Sequence, residues 1–379
     1  MKLFLRLMAI MATAFVALSC SDNNGREPVE PISRTVLVYM AADNNLSYDS
    51  QRDLHEMAIA VDEGALDRGG HLIVMQATER GRKLLEVVKG KNPVTLVEYT
   101  DTGSVLTPEF MKGVFSDMRS VAPAESYGLV LWSHATGWMD ETSVLPWPSP
   151  RSFGLDVKQR MSLAALHDAL SGQGFEWIYF DCCHMGTVEV FYELRDCASV
   201  FVASPTELPA EGMRYDINVH HFFNPSGADL VSAAKATYAE HSENSFCSMT
   251  VVDASRLDYL ATATRRVVEE SAGLPSDYRG IPFMRRQISP ICTIYDMADY
   301  ITNLSPSAPV LASWRRAYDA AILYSVATPN CLGLDLTAYS GLGSNILFNE
   351  DDADLFGYKR YAWWKDVMSH MRVDGEGSK

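Results

Sequence analysis

The chain has 379 residues and a formal net charge of −16. This acidic balance argues against general nucleic-acid binding, which needs a basic face. Hydrophobic residues make up 47% of the sequence and charged residues 21%, which is typical of a globular protein large enough for a main domain and a smaller one. No dinucleotide-binding, P-loop or zinc-peptidase motif occurs, so no organic cofactor is expected.

The N-terminus predicts an export signal. Lys2 and Arg6 supply positive charge, and the apolar run over residues 7–18 is too short for a stable membrane span. The run ends in Leu-Ser-Cys at Cys20, which resembles the lipobox of bacterial lipoproteins, where the cysteine is lipidated. We expect a lipid anchor at Cys20, at the outer membrane, followed by a polar tether over residues 20–33. The alternative is a plain secretory signal in which the cysteine is incidental.

Apolar strands and amphipathic helices alternate along the rest of the chain. Strands are predicted at the start of Arg34–Leu46 and over His71–Thr78, Lys83–Val88, Val94–Tyr99, Tyr127–Trp132, Trp177–Asp181, Ser199–Ser204 and Phe246–Asp253. Helices are predicted up to about Val61 and over Thr107–Ser120, Ser162–Ser171, Met185–Arg195, Ala228–His241 and Arg256–Ser271.

This alternation predicts an α/β fold with a mostly parallel sheet over residues 34–272. The pattern then changes. Residues 273–379 predict a smaller, mainly helical C-terminal subdomain, in which Ala308–Ser325 is helical throughout and Tyr358–His370 forms an amphipathic final helix.

Two chemically active segments follow neighbouring predicted strands. His134 comes after the strand that ends at Trp132, and Cys182 and Cys183 come after the strand that ends at Asp181. Carboxyl ends of parallel strands share one edge of a sheet, so these groups should meet there. The paired thiols are compatible with core filler, metal ligands, half of a disulfide, or a nucleophile. A helix beginning at Met185 would also stabilise a thiolate before it.

The two segments resemble those of the clostripain family of cysteine peptidases, which share the caspase-like fold. They are WSHATGW (132–138) and DCCHMG (181–186), the latter followed by Glu189, and the runs VYMAADNNL and YDMAD also resemble family landmarks. The separation from His134 to Cys183 is 49 residues (183 − 134), close to the spacing in caspases. The resemblance covers about residues 34–370 and implies a cysteine endopeptidase acting on proteins or peptides.

By the same resemblance, Cys183 is the nucleophile and His134 its proton-transfer partner. The oxyanion donors are the backbone N–H groups of Ala135 and Cys183. Asp181 and Glu211 match acids that bind arginine or lysine before the scissile bond. Cys182 and His184 are expected to pack rather than react.

Three positions depart from the family pattern: Ala135 replaces a glycine, and Pro205 and Ala210 alter the pocket loop. A positive φ at Ala135 would cost about 1–2 kcal/mol. This departure keeps an alternative open, in which the chain is a catalytically weak or inactive surface-anchored binding protein on a peptidase fold.

The segment over residues 139–160 holds three prolines, at positions 146, 148 and 150, and is therefore predicted to be an exposed loop. Related peptidases mature by cleavage between the histidine and cysteine segments. Self-cleavage is expected after Arg151 or, second, after Lys158. Calcium dependence is implied by the resemblance alone, and no motif identifies a calcium site.

Overall fold

A computed structural model describes residues 33–139, 153–156, 160–243, 245–271, 294–346, 354 and 357–371. Its strands are β1 (Arg34–Ala41), β2 (His71–Thr78), β3 (Gly81–Glu86), β4 (Val94–Tyr99), β5 (Ser126–Trp132), β6 (Trp177–Asp181), β7 (Val200–Ala203), β8 (Ser248–Asp253), β9 (Ile294–Asp296), β10 (Ile322–Ala327), β11 (Asn330–Cys331), β12 (Leu334–Asp335) and β13 (Gly343–Asn345).

Its helices are α1 (Ser47–Asp62), α2 (Pro108–Val121), α3 (Leu163–Leu170), α4 (Val188–Glu193), α5 (Tyr215–Phe222), α6 (Leu230–Ser242), α7 (Leu257–Glu270), α8 (Met297–Asn303), α9 (Ala308–Ala321) and α10 (Ala362–Asp366). Ala254–Arg256 and Met368–His370 form short 3-10 helices.

A nine-stranded sheet is the centre of the fold, in the order β10-β8-β7-β6-β5-β1-β2-β3-β4. The five middle strands, from β7 to β2, run parallel, and both flanks are antiparallel. This confirms the predicted α/β class. Antiparallel flanks can be joined by hairpins or short connections, whereas the parallel centre requires helical crossovers.

Helices cover both faces of the sheet. Alternate residues of β1 belong to different cores: Leu37 and Tyr39 pack with α2, α3, α4, α7 and α9, whereas Val36 and Val38 pack with α1, α5 and α6. All eight residues of β1 are buried, as expected for a central strand covered on both faces. The result is a three-layer arrangement around the sheet.

Most predicted elements are confirmed, with four differences. The helix expected from Met185 begins only at Val188, and α5 was not predicted. The run Ala308–Ser325 was expected to be helical throughout, but helix α9 ends at Ala321. Residues Ile322–Ala327 instead form edge strand β10, which pairs with β8. The final helix is reduced to the five residues of α10 between short 3-10 turns.

All of the described residues belong to one compact unit. The predicted boundary at 272/273 falls outside the described residues and stays a prediction. Within the described part of the chain, no helix has both the length and the apolar character needed to cross a membrane.

Candidate active site

Sheet register brings the two predicted catalytic segments together. Trp132 of β5 pairs with Asp181 of β6, so His134 and Cys183 each lie two residues beyond a paired position on adjacent strands. Neighbouring strands are about 4.8 Å apart. Both residues line one cleft of about 230 Å³, which makes this edge of the sheet the candidate active site.

The cysteine turn is held by the segment that follows β7. His184 N donates to Thr206 O at 3.0 Å, and Gly186 N donates to Ser204 O at 2.8 Å. Leu208 N donates to Cys183 Sγ at 3.4 Å. These bonds fix the direction of the thiol, and the residues that continue this segment, Glu207–Ala210, line the cleft.

His184 serves this turn structurally. It adopts a left-handed φ of +64°, a conformation that histidine enters more often than most residues. Its ring is 2% exposed, and Nδ1 lies 3.2 Å from Pro205 O. The side chain therefore turns the chain after the nucleophile and packs beneath it, in keeping with the packing role expected for it.

Gly137 joins the histidine turn to the cysteine turn. It has a φ of +75°, and a Cβ placed on it would lie 2.6 Å from His184 O. A side chain at this position would therefore meet the backbone of the neighbouring turn. Glycine is required here for conformation and for close approach, and this contact sets the spacing of the two catalytic turns.

Asn45 contacts His134, the candidate catalytic histidine. Its Oδ1 lies 2.9 Å from His134 Nε2, and since an amide oxygen only accepts, Nε2 carries the hydrogen. A neutral His134 then has Nδ1 as its proton acceptor. Neighbouring Asn44 fixes this loop by donating to Leu155 O at 2.6 Å and accepting from Leu46 N at 2.8 Å.

Electrostatics favour a neutral resting pair. Burial raises the pKa of the Cys183 thiol to about 11, and the nearby carboxylates of Glu207 and Asp181 add to the rise. Burial, with the charge of Arg160, lowers the pKa of His134. At neutral pH the thiol keeps its proton and the imidazole is uncharged, so His134 is positioned to act as a base during attack.

The predicted stabilisation of a thiolate by a helix N-terminus is wrong. Helix α4 begins at Val188, five residues after Cys183 (188 − 183), and spans only six residues. Its first turn is capped by its own Thr187. The peptide dipoles act mainly within the first turn of a helix, so the thiol gains no benefit from α4.

Two acids line the cleft. Asp181 is 5% exposed and accepts from Met213 N at 3.2 Å and from the Tyr215 hydroxyl at 3.1 Å. Burial raises its pKa to about 6, while these two donors act in the opposite direction. Glu207 is half-buried and lines the same cleft. Together they give the cleft a negative charge that suits a basic side chain.

The structure does not place the side chain of Glu211 in the cleft. Glu211 is exposed, and its backbone O accepts from Arg52 at 3.0 Å. Its neighbours Ala210 and Gly212 line the cleft instead. The prediction that this loop supplies an acid to the cleft therefore holds for a different residue, because the acid of the loop that lines the cleft is Glu207.

Ala135 carries no left-handed strain, because its φ is not positive. It pairs with Phe153 across a short antiparallel bridge in which Gly154 N donates to His134 O at 2.8 Å. In such a pair the N–H of the bridge residue itself points away from the partner segment. The replacement of glycine at this position is thus tolerated by the backbone, which removes the reason for expecting an impaired enzyme.

Glu189, part of the matched segment, is a structural residue. Its carboxylate is fully buried and accepts from Asn345 N at 2.8 Å and from the Tyr358 hydroxyl at 3.3 Å. Burial raises its pKa to about 7. Glu189 therefore ties the C-terminal segment to α4, behind the cysteine turn.

Sequence reasoning missed Asn45 and Glu207 as site residues. Asn45 lies in the VYMAADNNL run that resembles a family landmark, and Glu207 lies four residues before Glu211 (211 − 207) in the same loop. Each position therefore carries a signal in the sequence, but the sequence alone assigns it no role. Cys20, Arg151 and Lys158 lie outside the described residues.

The Clostripain family model matches residues 38–319 of the chain. The protein belongs to the clostripain family. It is a cysteine-type peptidase, a hydrolase. A search of curated proteins gave no significant match.

Solved structures of clostripain-family C11 proteases share the fold. An inactive zymogen C11 protease from Parabacteroides distasonis is 26% identical with a TM-score of 0.79, covering 89% of this chain and 98% of that one. A secreted C11 cysteine protease from Bacteroides thetaiotaomicron, solved with an irreversible peptide inhibitor, is 28% identical with a TM-score of 0.76, covering 88% and 98%. These similarities confirm the predicted caspase-like fold.

Proposed function

We propose that this clostripain-family protein is an endopeptidase that cleaves after arginine or lysine, with Cys183 and His134 as a catalytic dyad. The observation that carries the proposal is one cleft lined by His134, Cys183 and two carboxylates, Asp181 and Glu207. A basic P1 side chain fits this charge, and arginine gains most from paired carboxylate contacts.

The reaction follows from the neutral dyad. His134 Nδ1 takes the proton of Cys183 as Sγ bonds to the substrate carbonyl carbon. The backbone N–H groups of Cys183 and Ala135 stabilise the oxyanion, and the imidazolium then protonates the leaving amine. Water, deprotonated by His134, hydrolyses the thioester and frees Cys183.

The substrate also helps to activate the thiol. Glu207 and Asp181 raise the pKa of Cys183, so a cationic P1 side chain that neutralises them lowers the cost of forming the thiolate. Basic specificity should therefore appear in kcat as well as in KM, because the charge contact assists the chemical step.

The test uses paired substrates and paired probes. Peptides ending in arginine or in its neutral isostere citrulline at P1 are compared by kcat/KM, and the same peptides carrying a carbon electrophile are used for labelling. A charge-assisted contact predicts about a 10- to 100-fold preference for arginine, reduced in Glu207→Gln. Mass spectrometry should locate the adduct on Cys183.

The outcomes separate the two parts of the proposal. Adduct on Cys183 with equal turnover of both substrates overturns the basic specificity alone. If the native protein turns over substrate without any adduct on Cys183, and Cys183→Ala turns over substrate equally well, the dyad is overturned.

We also propose export and lipid anchoring through Cys20. The support is the N-terminal sequence, together with a similar C11 protease that is described as secreted. Cys20→Ala should release the protein from the membrane fraction. Unchanged partition of this variant into the outer-membrane fraction would contradict the anchor.

Maturation by self-cleavage after Arg151, or second after Lys158, is a further part of the proposal. Phe153, two residues after Arg151, pairs with Ala135 beside His134, and the charge of Arg160 acts on the His134 ring. Phe153 and Arg160, the described residues that follow the two candidate cut sites, therefore lie near His134. N-terminal sequencing should find the cut in the active protein and not in Cys183→Ala. A cut found equally in both would indicate another protease.

Calcium dependence stays a prediction, tested by activity in calcium-buffered and chelator-treated samples. Within the described residues, His167, Asp196 and Cys197 form the one group of three or more potential metal-binding side chains. Calcium prefers oxygen ligands, so a group with a thiol and an imidazole does not fit it.

A further inference from the structure

Three side chains of types that can bind a metal ion lie close together outside the candidate active site. His167 belongs to the last turn of α3, and Asp196 and Cys197 lie in the turn between α4 and β7. His167 Nε2 is 2.9 Å from Asp196 Oδ1, and Cys197 Sγ is 3.6 Å from the same oxygen. The three ligand atoms lie within 4.8 Å of one another.

We propose that His167, Asp196 and Cys197 bind zinc or a similar divalent transition metal, with water as the fourth ligand. Imidazole, carboxylate and thiolate are the side chains that zinc prefers, at bond lengths that separate tetrahedral ligand atoms by about 3.3–3.6 Å. The Cys197–Asp196 distance of 3.6 Å lies in this range, whereas the His167–Asp196 distance of 2.9 Å is that of a direct hydrogen bond, which an ion bound between the two side chains would replace. Small side-chain rotations complete the geometry.

The surroundings are compatible with an ion. Asp196 and Cys197 line an open cleft of about 460 Å³, which gives solvent access for the metal and its water. The turn is fixed by Cys197 N donating to Leu194 O at 2.8 Å. Nearby Arg195 pairs with Asp258 at 2.9 Å, so its guanidinium is directed to a different carboxylate from the proposed ligand.

Cys197 distinguishes the cluster from an ordinary surface ion pair. A His–Asp pair alone is common on protein surfaces and contributes little. Here a thiol that is only 3% exposed lies 3.6 Å from the same carboxylate oxygen that contacts His167. A bound metal ion replaces the thiol proton, which is released to solvent, and the resulting thiolate is then neutralised by the ion.

The cluster is separate from the catalytic cleft. It precedes the N-terminal ends of β6 and β7, whereas Cys183 follows the C-terminal end of β6. Five strand residues separate those ends, a length of about 16 Å. The metal would link α3 to the turn before β7, so its role is structural and does not depend on the proposed reaction.

Cobalt(II) is the probe, since a cobalt–thiolate bond gives a charge-transfer absorption band. The full chain carrying Cys183→Ala is titrated, so that the catalytic thiol cannot bind the ion. We expect one equivalent of cobalt, a charge-transfer band and displacement by zinc. Adding Cys197→Ser should remove the band. Adding His167→Ala should weaken binding at least about 10-fold, the lower bound for loss of even an outer-shell partner.

The matched control is His220→Ala, which removes an exposed histidine from α5 and should leave binding unchanged. Zinc should raise the Tm of the Cys183→Ala protein but not that of Cys183→Ala/Cys197→Ser. If Cys197→Ser fails to fold, the surface variants His167→Ala and Asp196→Asn decide the matter. An identical band in Cys183→Ala and Cys183→Ala/Cys197→Ser, or binding unaffected by His167→Ala and Asp196→Asn, overturns the site.

Discussion

Replacing Gly137 with alanine should separate the two catalytic turns. At a φ of +75° the new Cβ would lie 2.6 Å from His184 O, well inside ordinary van der Waals contact, and the opposing atom is backbone that cannot rotate away. The left-handed conformation alone costs about 1–2 kcal/mol for alanine. The contact adds to this cost unless the turns move apart.

Movement of the turns is expected to reduce activity. A shift of about 1 Å between reacting groups can lower a rate about 100-fold, so kcat of Gly137→Ala should fall by about that factor. The assay is kcat and KM on an arginyl peptide, with stability followed by chemical denaturation.

Gly174→Ala is the matched control for this prediction. Gly174 has a similar φ of +68°, but a Cβ there would meet nothing within 4 Å. The Gly174→Ala variant should lose about the same free energy of unfolding through its left-handed conformation, while keeping full activity. If Gly137→Ala and Gly174→Ala have equal kcat and equal stability, the close approach to His184 does not set the catalytic spacing.

Three further predictions concern the proposed dyad, the residue that contacts its histidine, and the pH dependence of stability. Cys183→Ala should abolish hydrolysis, whereas Cys182→Ala, which truncates a buried side chain, should keep most activity. An active Cys183→Ala enzyme would refute the assignment of Cys183 as the nucleophile. Asn45→Ala should lower kcat about 10-fold, less than the roughly 10²- to 10⁴-fold that general acid–base catalysis contributes, because His134 itself remains; KM should change little. Asn45→Asp should raise the pKa of His134 and so move the acid limb of the kcat/KM profile to higher pH; an unmoved profile would show that Asn45 does not act on the ring. Burial and the neighbouring Asp181 carboxylate raise the pKa of Asp53 from 3.8 to about 8, so Asp53 holds a proton more tightly in the folded state than in the unfolded state. Its contribution to stability is therefore full below about pH 4 and is lost as the pH rises through 8. Asp53→Asn should flatten the dependence of the unfolding midpoint on pH, and an unaltered dependence would contradict this.

The sequence by itself determined the central sheet and pointed to the two segments that carry the proposed dyad. Strands such as His71–Thr78 and Trp177–Asp181 were predicted with the bounds they have in the structure, because strands buried on both faces are continuous apolar runs that local composition reveals. The order of strand, turn and reactive residue was enough to place His134 and Cys183 on one edge.

Tertiary structure decided how those residues are tuned. The pKa of Cys183 depends on burial and on Glu207, a residue 24 positions away (207 − 183), and no local pattern encodes that proximity. The tautomer of His134 depends on Asn45, which reaches it only because β1 and β5 are neighbours. Likewise, Ile322–Ala327 becomes a strand because the edge of β8 offers unpaired backbone groups. Short-range pattern fixes which elements form, whereas side-chain contacts between distant segments depend on how the whole chain packs.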